Sequence, residues 1–318
     1  MPSTRRILVW ASGDQELLIR SAVESGGLEL AAVGSPRAEA AAQLAKALGA
    51  ERFDDLRQAV QRDDVDLIWL AAPDLIEPDI RRLIGQLKLP VICCRPPLAS
   101  VAEMINDPSA THDVTFVPLM RRSPGYRAAS DVLPQFGQPQ CVNVFFRSGP
   151  GQGTLLARLY DAVDVISLLC GQIETINAGL AGSLPAVPES LGDLRGHLTG
   201  NLRFKPNRCA CIALSDAAGS WFRGVTVLGE EGCLRISDGG FEWIGADGRV
   251  LERNDAAAVM SPGQLIGAQI SRIFDSMDLS DPPPDNVNLL ALCEAARLSC
   301  LTGQDEAPAK IIEMLSRP

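Results

Sequence analysis

The stretch Ile7 to Leu18, ILVWASGDQELL, runs four apolar residues into a turn of small residues and then into a helical pattern. A strand, a glycine turn and a helix N-terminus in that order make a phosphate cradle. Glycine lets backbone N–H groups approach the phosphate oxygens, and the helix start supplies positive potential. The fingerprint for that chemistry is G-x-G-x-x-G. Here its three positions hold Ala11, Gly13 and Glu16, so only the middle glycine stands. Asp14 and Glu16 bring negative charge to the start of the helix. An acid there suits the helix dipole and occupies the place a phosphate would use. Two readings stay open: a modified cradle, and a self-capped turn that binds no phosphate.

The remaining reactive side chains form no metal pattern. Cys209 and Cys211, in RCACIAL, are two apart and so lie on one face of a strand. A metal would need further ligands, and the only histidines are His112 and His197. Cys93 and Cys94 sit together in VICC, beside a strand end. The nine cysteines read as buried small hydrophobes in a reducing cytoplasm.

The elements that must position these residues fall into two patterns. In the first third, apolar strands at Ile7–Trp10, Leu28–Val33, Val65–Ala71, Pro90–Cys94 and Val114–Val117 alternate with helical stretches at Glu16–Glu24, Arg37–Leu48, Leu56–Gln61 and Asp79–Leu87. Near-continuous apolar strands between helices indicate a parallel sheet covered on both faces, doubly wound by right-handed crossovers. After a helical stretch at Ser123–Val132 and an alternating segment at Gln140–Arg147 comes a Leu- and Val-rich helix at Leu156–Leu169. Seven strand-like segments follow as far as Arg253, separated by turns such as GADGR, and they predict an antiparallel sheet. Helices resume at Gln264–Ser276 and Asn288–Leu301, with the loop PPP at 282–284 between them. The expected division is residues 1–119, a Rossmann-type domain, and residues 120–318, an α+β domain with a large, mainly antiparallel open sheet; the class is α/β.

The chain has 318 residues, 46% of them hydrophobic and 21% charged, with a net charge of −10. An acidic surface repels phosphate backbones, so nucleic acid is not an expected partner. No apolar run reaches the length of a membrane span. The four apolar residues after Arg5 and Arg6 are too few for the core of a signal peptide, so a cytoplasmic protein is expected.

A Rossmann-type domain followed by a strand-rich α+β domain resembles the Gfo/Idh/MocA oxidoreductases, named after glucose–fructose oxidoreductase and inositol dehydrogenase. The resemblance runs nearly the whole length. DVDLIWLAAPDLIEPD is similar to the family's strand ending in T-P-N-x-x-H, and VICCRPPLAS to its E-K-P-L-A segment. LMRRSPGYRAASDVL resembles N-R-R-F-x-P-x-Y, and GTLLARLYDAVDVISLLCG the helix that carries G-x-L-x-D-x-G-x-H-x-x-D. VTVLGEEGCLRISD is similar to the glycine-turned hairpin late in the sheet, and PPPDNVNLLALCEAARLSCLTGQ to the C-terminal helix.

The resemblance implies a dinucleotide held by Ala11, Gly13, Ser35, Arg37, Ala72 and Pro73. Where an acid would grip the ribose diol stands Gly34, followed by Ser35, Pro36 and Arg37. A missing acid beside Ser and Arg suits a 2′-phosphate, so NADP is favoured over NAD if a dinucleotide binds. Asp74 and Glu77 add two acids to the same region. No metal is expected.

The resemblance also implies a catalytic lysine and histidine. Their positions hold Arg95 and Asp161, and of the motif's two aspartates only Asp164 is kept. Arginine polarises an oxygen but accepts no proton, and an aspartate with a reference pKa of about 3.9 is a weak base for hydride transfer. Tyr160 is one helical step, about 100°, away from Asp161. The group Arg95, Arg121, Arg122, Arg158, Asp161 and Asp164 has a second reading. Arg121, Arg122 and Arg158 recognise a sugar-like or anionic small molecule bidentately. A third is an internal ion-pair network, Arg95 with Asp161 or Asp164.

The sequence reading is an NAD(P)-dependent oxidoreductase type for a sugar- or polyol-like substrate, with altered motifs and hydride transfer expected to be lost. The alternative is a non-catalytic binding or scaffold protein on the same fold. A homo-oligomer is expected through the C-terminal sheet.

Overall fold

The computed structural model describes residues 5–59, 61–72, 89–94, 101–106, 114–183, 185–205, 207–255, 260–274 and 284–316. The chain divides into two compact units: residues 1–99, 103–118 and 261–283, and residues 100–102, 119–260 and 284–318.

The first unit opens with β1 (Arg5–Trp10), a single 3-10 turn at Gly13–Gln15 and α1 (Glu16–Gly26). Then come β2 (Leu28–Gly34), α2 (Ala38–Leu48), β3 (Glu51–Phe53), α3 (Leu56–Ala59), β4 (Leu67–Leu70), β5 (Val91–Cys93), α4 (Val101–Asn106) and β6 (Val114–Phe116). The six strands are parallel in the order β3-β2-β1-β4-β5-β6. Starting from β1 the chain winds outward one way and then the other, so the order reverses beside β1. Strands β1, β4 and β5 are buried for most of their length, which explains their unbroken apolar runs. The expected doubly wound sheet is borne out. β3 was not expected from the sequence: ERF has too few residues to show a period. The helix expected at Asp79–Leu87 lies outside the described residues.

The second unit holds α5 (Pro124–Ser130), α6 (Leu133–Phe136), β7 (Cys141–Arg147), α7 (Leu155–Cys170) and β8 (Thr175–Ala181). The strands β9 (His197–Phe204), β10 (Arg208–Ser215), β11 (Phe222–Gly229), β12 (Gly232–Ser237), β13 (Phe241–Ile244) and β14 (Val250–Asn254) follow. Their order is β14-β13-β12-β11-β7-β10-β9-β8, antiparallel except where β7 lies parallel to β10. β9 alternates strictly between exposed and buried residues, so one face of the sheet is covered and the other open. The covering helices are α7 and, further along the chain, α9 (Asn286–Thr302), which pack on the sheet and on one another, followed by α10 (Pro308–Leu315). This sheet also matches expectation.

Between β14 and α9 the chain supplies α8 (Pro262–Phe274), which belongs to the first unit and lies along α1. The contact is made by small residues. A Cβ on Gly267 would stand 2.4 Å from the Ala22 carbonyl oxygen, and one on Gly263 would stand 2.6 Å from the Ser21 Cβ. Ser271 donates to the Gly26 carbonyl at 2.8 Å. Ile266 and Ile270 then reach the core formed by Val9, Ile19, Val33 and Trp69.

The cysteines depart from expectation. Cys93, Cys170 and Cys293 are buried, but Cys209 is exposed and the others are half-buried. Cys209 lies on the open face of the sheet, where the alternation of β10 sends it outward. No described helix is long and apolar enough to cross a membrane.

Candidate nucleotide cleft and buried charge network

The turn after β1 is built around Gln15. Its side-chain oxygen accepts the Ser12 backbone N–H at 2.9 Å, and its amide nitrogen donates to the Ala71 carbonyl at 3.1 Å. Gln15 is thereby buried, and it ties the turn to the end of β4. Asp14 accepts a hydrogen bond from the Ser12 hydroxyl. Glu16 pairs instead with Arg20, one turn on, at 2.9 Å. The turn is therefore closed by Gln15 and not by the acids, a correction to the capping role given to Asp14 and Glu16. The signal was present as S-x-x-Q, a capping-box spacing.

At the end of β2 the backbone of Gly34 accepts from Ala11 N–H at 3.0 Å. A Cβ on Gly34 would lie 2.3 Å from Phe53 Cε2. The Phe53 ring in turn stacks on Trp10, with centroids 5.7 Å apart. The space beside Gly34 is thus filled by an aromatic side chain from β3. Next to it Ser35 is buried and Arg37 is exposed.

Ser12, Gly13, Asp14, Ser35, Arg37 and Glu39 line a cleft of about 1000 Å³ at the C-terminal ends of β1 and β2. Of the six residues named from the sequence for a cofactor, Gly13, Ser35 and Arg37 share this cleft. Ala11 and Ala72 are buried, and Ala72 N–H donates to the Trp10 carbonyl at 3.1 Å. Pro73 lies outside the described residues, as do Asp74 and Glu77. The cleft fits the adenosine end of a dinucleotide: it has the volume, a glycine at the turn, hydroxyls and one cation. Asp14 and Glu39 set two carboxylates against it.

In the second unit α7 begins at Thr154, whose hydroxyl accepts from Ala157 N–H at 3.2 Å. The helix is buried along most of its length, so the charges on it must find partners inside. Asp161 accepts from Met120 N–H at 2.7 Å through one oxygen and from Arg223 Nη1 at 2.7 Å through the other. Arg223 also donates to Asp238 Oδ1 from Nε at 2.9 Å and from Nη2 at 2.6 Å. Burial opposes the charge on Arg223, but Asp238 and Asp161 outweigh it and hold its pKa above the usual value. Trp221 donates its indole N–H to Asp238 Oδ2 at 2.8 Å and lies 4.3 Å beneath the Arg158 guanidinium. Arg121 Nε stands 3.3 Å from Asp164 Oδ2, both side chains 4% exposed. Arg122 is buried beside Arg121 in the turn Met120–Arg122. The Tyr160 hydroxyl turns to Asn286.

Of the residues named from the sequence, the structure thus brings Arg121, Arg158, Asp161 and Asp164 into one buried region of charge with Arg223. Arg95 lies outside the described residues. Among the described residues Asp161 pairs with Arg223 and Asp164 lies beside Arg121; the expected pairing of Arg95 with either aspartate falls outside the described residues. Arg223, Asp238 and Trp221 were missed. The available signal was the inward register of Arg223, which alternates with Val225 and Val227 on a strand whose other inward residues are apolar. His197 is exposed at the start of β9, and His112 lies outside the described residues.

Residues 11–107 match the family model GFO_IDH_MocA, an oxidoreductase family with an NAD-binding Rossmann fold. The fold is that of the Gfo/Idh/MocA oxidoreductases. The resemblance drawn from the sequence is borne out. Among solved structures of this kind, an oxidoreductase from Agrobacterium radiobacter in complex with NAD+, L-tartaric acid and magnesium is 17% identical. It aligns over 97% of this chain and 99% of its own, with a TM-score of 0.72. Levoglucosan dehydrogenase in complex with NADH and L-sorbose is 14% identical over 96% of this chain and 98% of its own, with a TM-score of 0.70. A myo-inositol dehydrogenase from Corynebacterium glutamicum is 17% identical over 96% and 98%, with a TM-score of 0.69. At such identities the likeness establishes the Gfo/Idh/MocA fold. No curated protein matches the sequence.

Proposed function

We propose that the chain is an NAD(P)-dependent oxidoreductase of Gfo/Idh/MocA type for a sugar- or polyol-like small molecule, with NADP(H) the favoured nucleotide. The observation that carries the nucleotide reading is the pairing of an absent acid with a present cation. Phe53 fills the space beside Gly34, while Ser35 and Arg37 line the same cleft. Ser35 and Arg37 would hold a 2′-phosphate, Gly13 would face the pyrophosphate, and Ala11 and Ala72 would form the floor, with Pro73 the sixth residue proposed for the nucleotide. When bound, the nicotinamide supplies the hydride donor or acceptor. The structures bearing NAD+ or NADH support a dinucleotide in this fold, and the tartrate and sorbose bound there support a small polar substrate. Arg121, Arg122 and Arg158 are the groups proposed for recognising it, with Arg95, Asp161 and Asp164 at the catalytic positions. A reducing cytoplasm is the proposed compartment, and a homo-oligomer through the open sheet face is part of the same reading. Phe145, Phe222 and Leu228 leave apolar area on that face.

A second reading, binding without turnover, is favoured by the state of Asp161. Both its oxygens already accept hydrogen bonds in a buried position, one from the Met120 backbone and one from the Arg223 guanidinium, so the carboxylate is committed to holding the fold.

Titration of the purified chain with NADPH and NADH, followed by nicotinamide fluorescence and melting temperature, tests the first reading. A ligand of the folded state raises the melting temperature according to its affinity. Saturable binding, tighter for NADPH, is expected; no shift at millimolar nucleotide overturns the oxidoreductase reading. If NADPH binds and no sugar, polyol or sugar acid is reduced or oxidised, the second reading stands.

A further inference from the structure

The turn before α1 and the first turn of α2 both line the nucleotide cleft, and they present opposite charge to it. Before α1 the chain answers its own donors. Gln15 takes the Ser12 N–H, and the Asp14 carboxylate stands in the cleft, held by the Ser12 hydroxyl. At the start of α2 no side chain caps the helix. Arg37 precedes it with extended backbone, φ −110° and ψ 117°, and its carbonyl accepts from Ala41 N–H at 2.9 Å. The N–H groups of Ala38, Glu39 and Ala40 have no acceptor among the described residues. At the positive end of an 11-residue helix they are donors for an anion.

A second feature points to the same place. Ser35, between β2 and α2, is 3% exposed, and its hydroxyl makes no hydrogen bond among the described residues. A buried hydroxyl is normally paired, and the side of Ser35 left open is the cleft it lines. The Arg37 guanidinium, exposed in the same cleft, has neither an ion pair nor a hydrogen bond among the described residues. Backbone, hydroxyl and guanidinium donors are thus gathered within residues 35–40. Asp14 and Glu39 share the cleft, and their carboxylates are bonded to none of these donors. A phosphate monoester, with three terminal oxygens and close to two charges at neutral pH, can answer all three kinds of donor at once.

We propose that the anion anchor of this chain is the start of α2 and not the turn before α1. Ser35, Arg37 and the backbone of Ala38–Ala40 receive a phosphate monoester, and a nucleoside bearing that phosphate binds without a pyrophosphate or a nicotinamide. The inference rests on the nucleotide reading for the source of the phosphate, the 2′-phosphate of NADP(H); a free nucleoside monophosphate is the other source of the same chemistry. Asp14 repels the pyrophosphate at the α1 turn, so binding is carried by the monoester end of the ligand. Free nucleoside monophosphates therefore compete with NADPH for the cleft.

The test titrates the full chain with adenosine 2′-monophosphate, adenosine 5′-monophosphate, adenosine, NADPH and NADH, reading melting temperature and the displacement of bound NADPH by its fluorescence. Adenosine 2′-monophosphate should raise the melting temperature and displace NADPH, and adenosine should do neither. Equal binding of the 5′-monophosphate supports a site for free monoesters, and its failure supports a site for the 2′-phosphate. Ala38→Pro removes one donor where proline suits the helix start and the extended Arg37 suits the residue before it. Ala38→Pro and Ser35→Ala should each weaken adenosine 2′-monophosphate about tenfold, with the melting temperature of the unliganded chain nearly unchanged. Asp14→Asn should tighten NADH and NADPH alike and leave adenosine 2′-monophosphate as it was. If NADPH binds and adenosine 2′-monophosphate does not, or if both α2-start variants bind it as the wild type does, the proposal is overturned and the oxidoreductase reading stands. If the monophosphate binds and NADPH does not, the anchor stands and the oxidoreductase reading is overturned. Binding of neither overturns both.

Discussion

Asp161 Oδ2 and Arg223 Nη1 lie 2.7 Å apart, with side chains 2% and 0% exposed. The pair joins the middle of α7 to β11, and Asp238 shares the same guanidinium from the turn just after β12. A buried ion pair is costly to break from one side, because the remaining charge has no water to turn to. Arg223→Met strands two carboxylates and should lower stability by several kcal/mol, at or above about 3–5 kcal/mol. Asp161→Asn leaves Arg223 with Asp238 and should cost less. Urea unfolding of the two variants measures the order; equal and small losses would show that the pair holds nothing.

Gly267 predicts a sign reversal. In an exposed helix interior, Gly→Ala gains about 1 kcal/mol of helix propensity. At Gly267 the new Cβ would fall 2.4 Å from a backbone oxygen of α1, so Gly267→Ala should destabilise by about 1–3 kcal/mol through overpacking. A fall in melting temperature is the readout, and a rise would mean that the two helices separate without cost.

Nucleotide choice should follow Arg37 and Phe53. Arg37→Ala should remove any preference for NADPH over NADH while leaving NADH affinity nearly unchanged. Gly34→Asp alone should damage the fold, because its Cβ meets the Phe53 ring. Gly34→Asp together with Phe53→Ala should fold and favour NADH. Fluorescence titration of the three variants with both nucleotides decides this.

The elements with long, regular patterns were legible in the sequence. The apolar runs of β1, β4 and β5 and the alternation of β7 and β9 fixed both sheets, because burial on two faces and on one face write different periods. The candidate site was legible as residue types and less so as partners. Asp161 was read as a weak base at a catalytic position, and the structure gives it a cation the sequence reading did not name, Arg223, 62 positions along the chain. Nothing local ties those residues together; only the ladder that sets β11 beside β7 does. Gln15 was overlooked for a different reason. Acids at a helix start satisfy the dipole rule, and the neutral side chain that actually closes the turn drew less notice than Asp14 and Glu16.

Buried and half-buried thiols give the alkaline limb of stability. Burial raises Cys170 and Cys300 to about 11 and pushes Cys293 higher still, from an ordinary 9.0. A group whose folded pKa is raised binds its proton more tightly in the folded chain. Its contribution is complete below the unfolded value and is lost as pH rises from about 9 towards 11. Melting temperature should therefore fall over that window in reduced protein, and Cys293→Ala should flatten the fall.

α8 has a consequence for how the chain matures. The first unit takes a helix from residues 262–274, after the fourteen described strands have been made. A nascent chain halted near residue 119 would carry the complete parallel sheet with the Ser21, Ala22 and Ser25 side of α1 bare. The ribosome must finish the second unit's sheet before the first unit can bury that helix. Expression of residues 1–119 alone should give a species prone to aggregation, and a synthetic 261–283 segment supplied in trans should dissolve it.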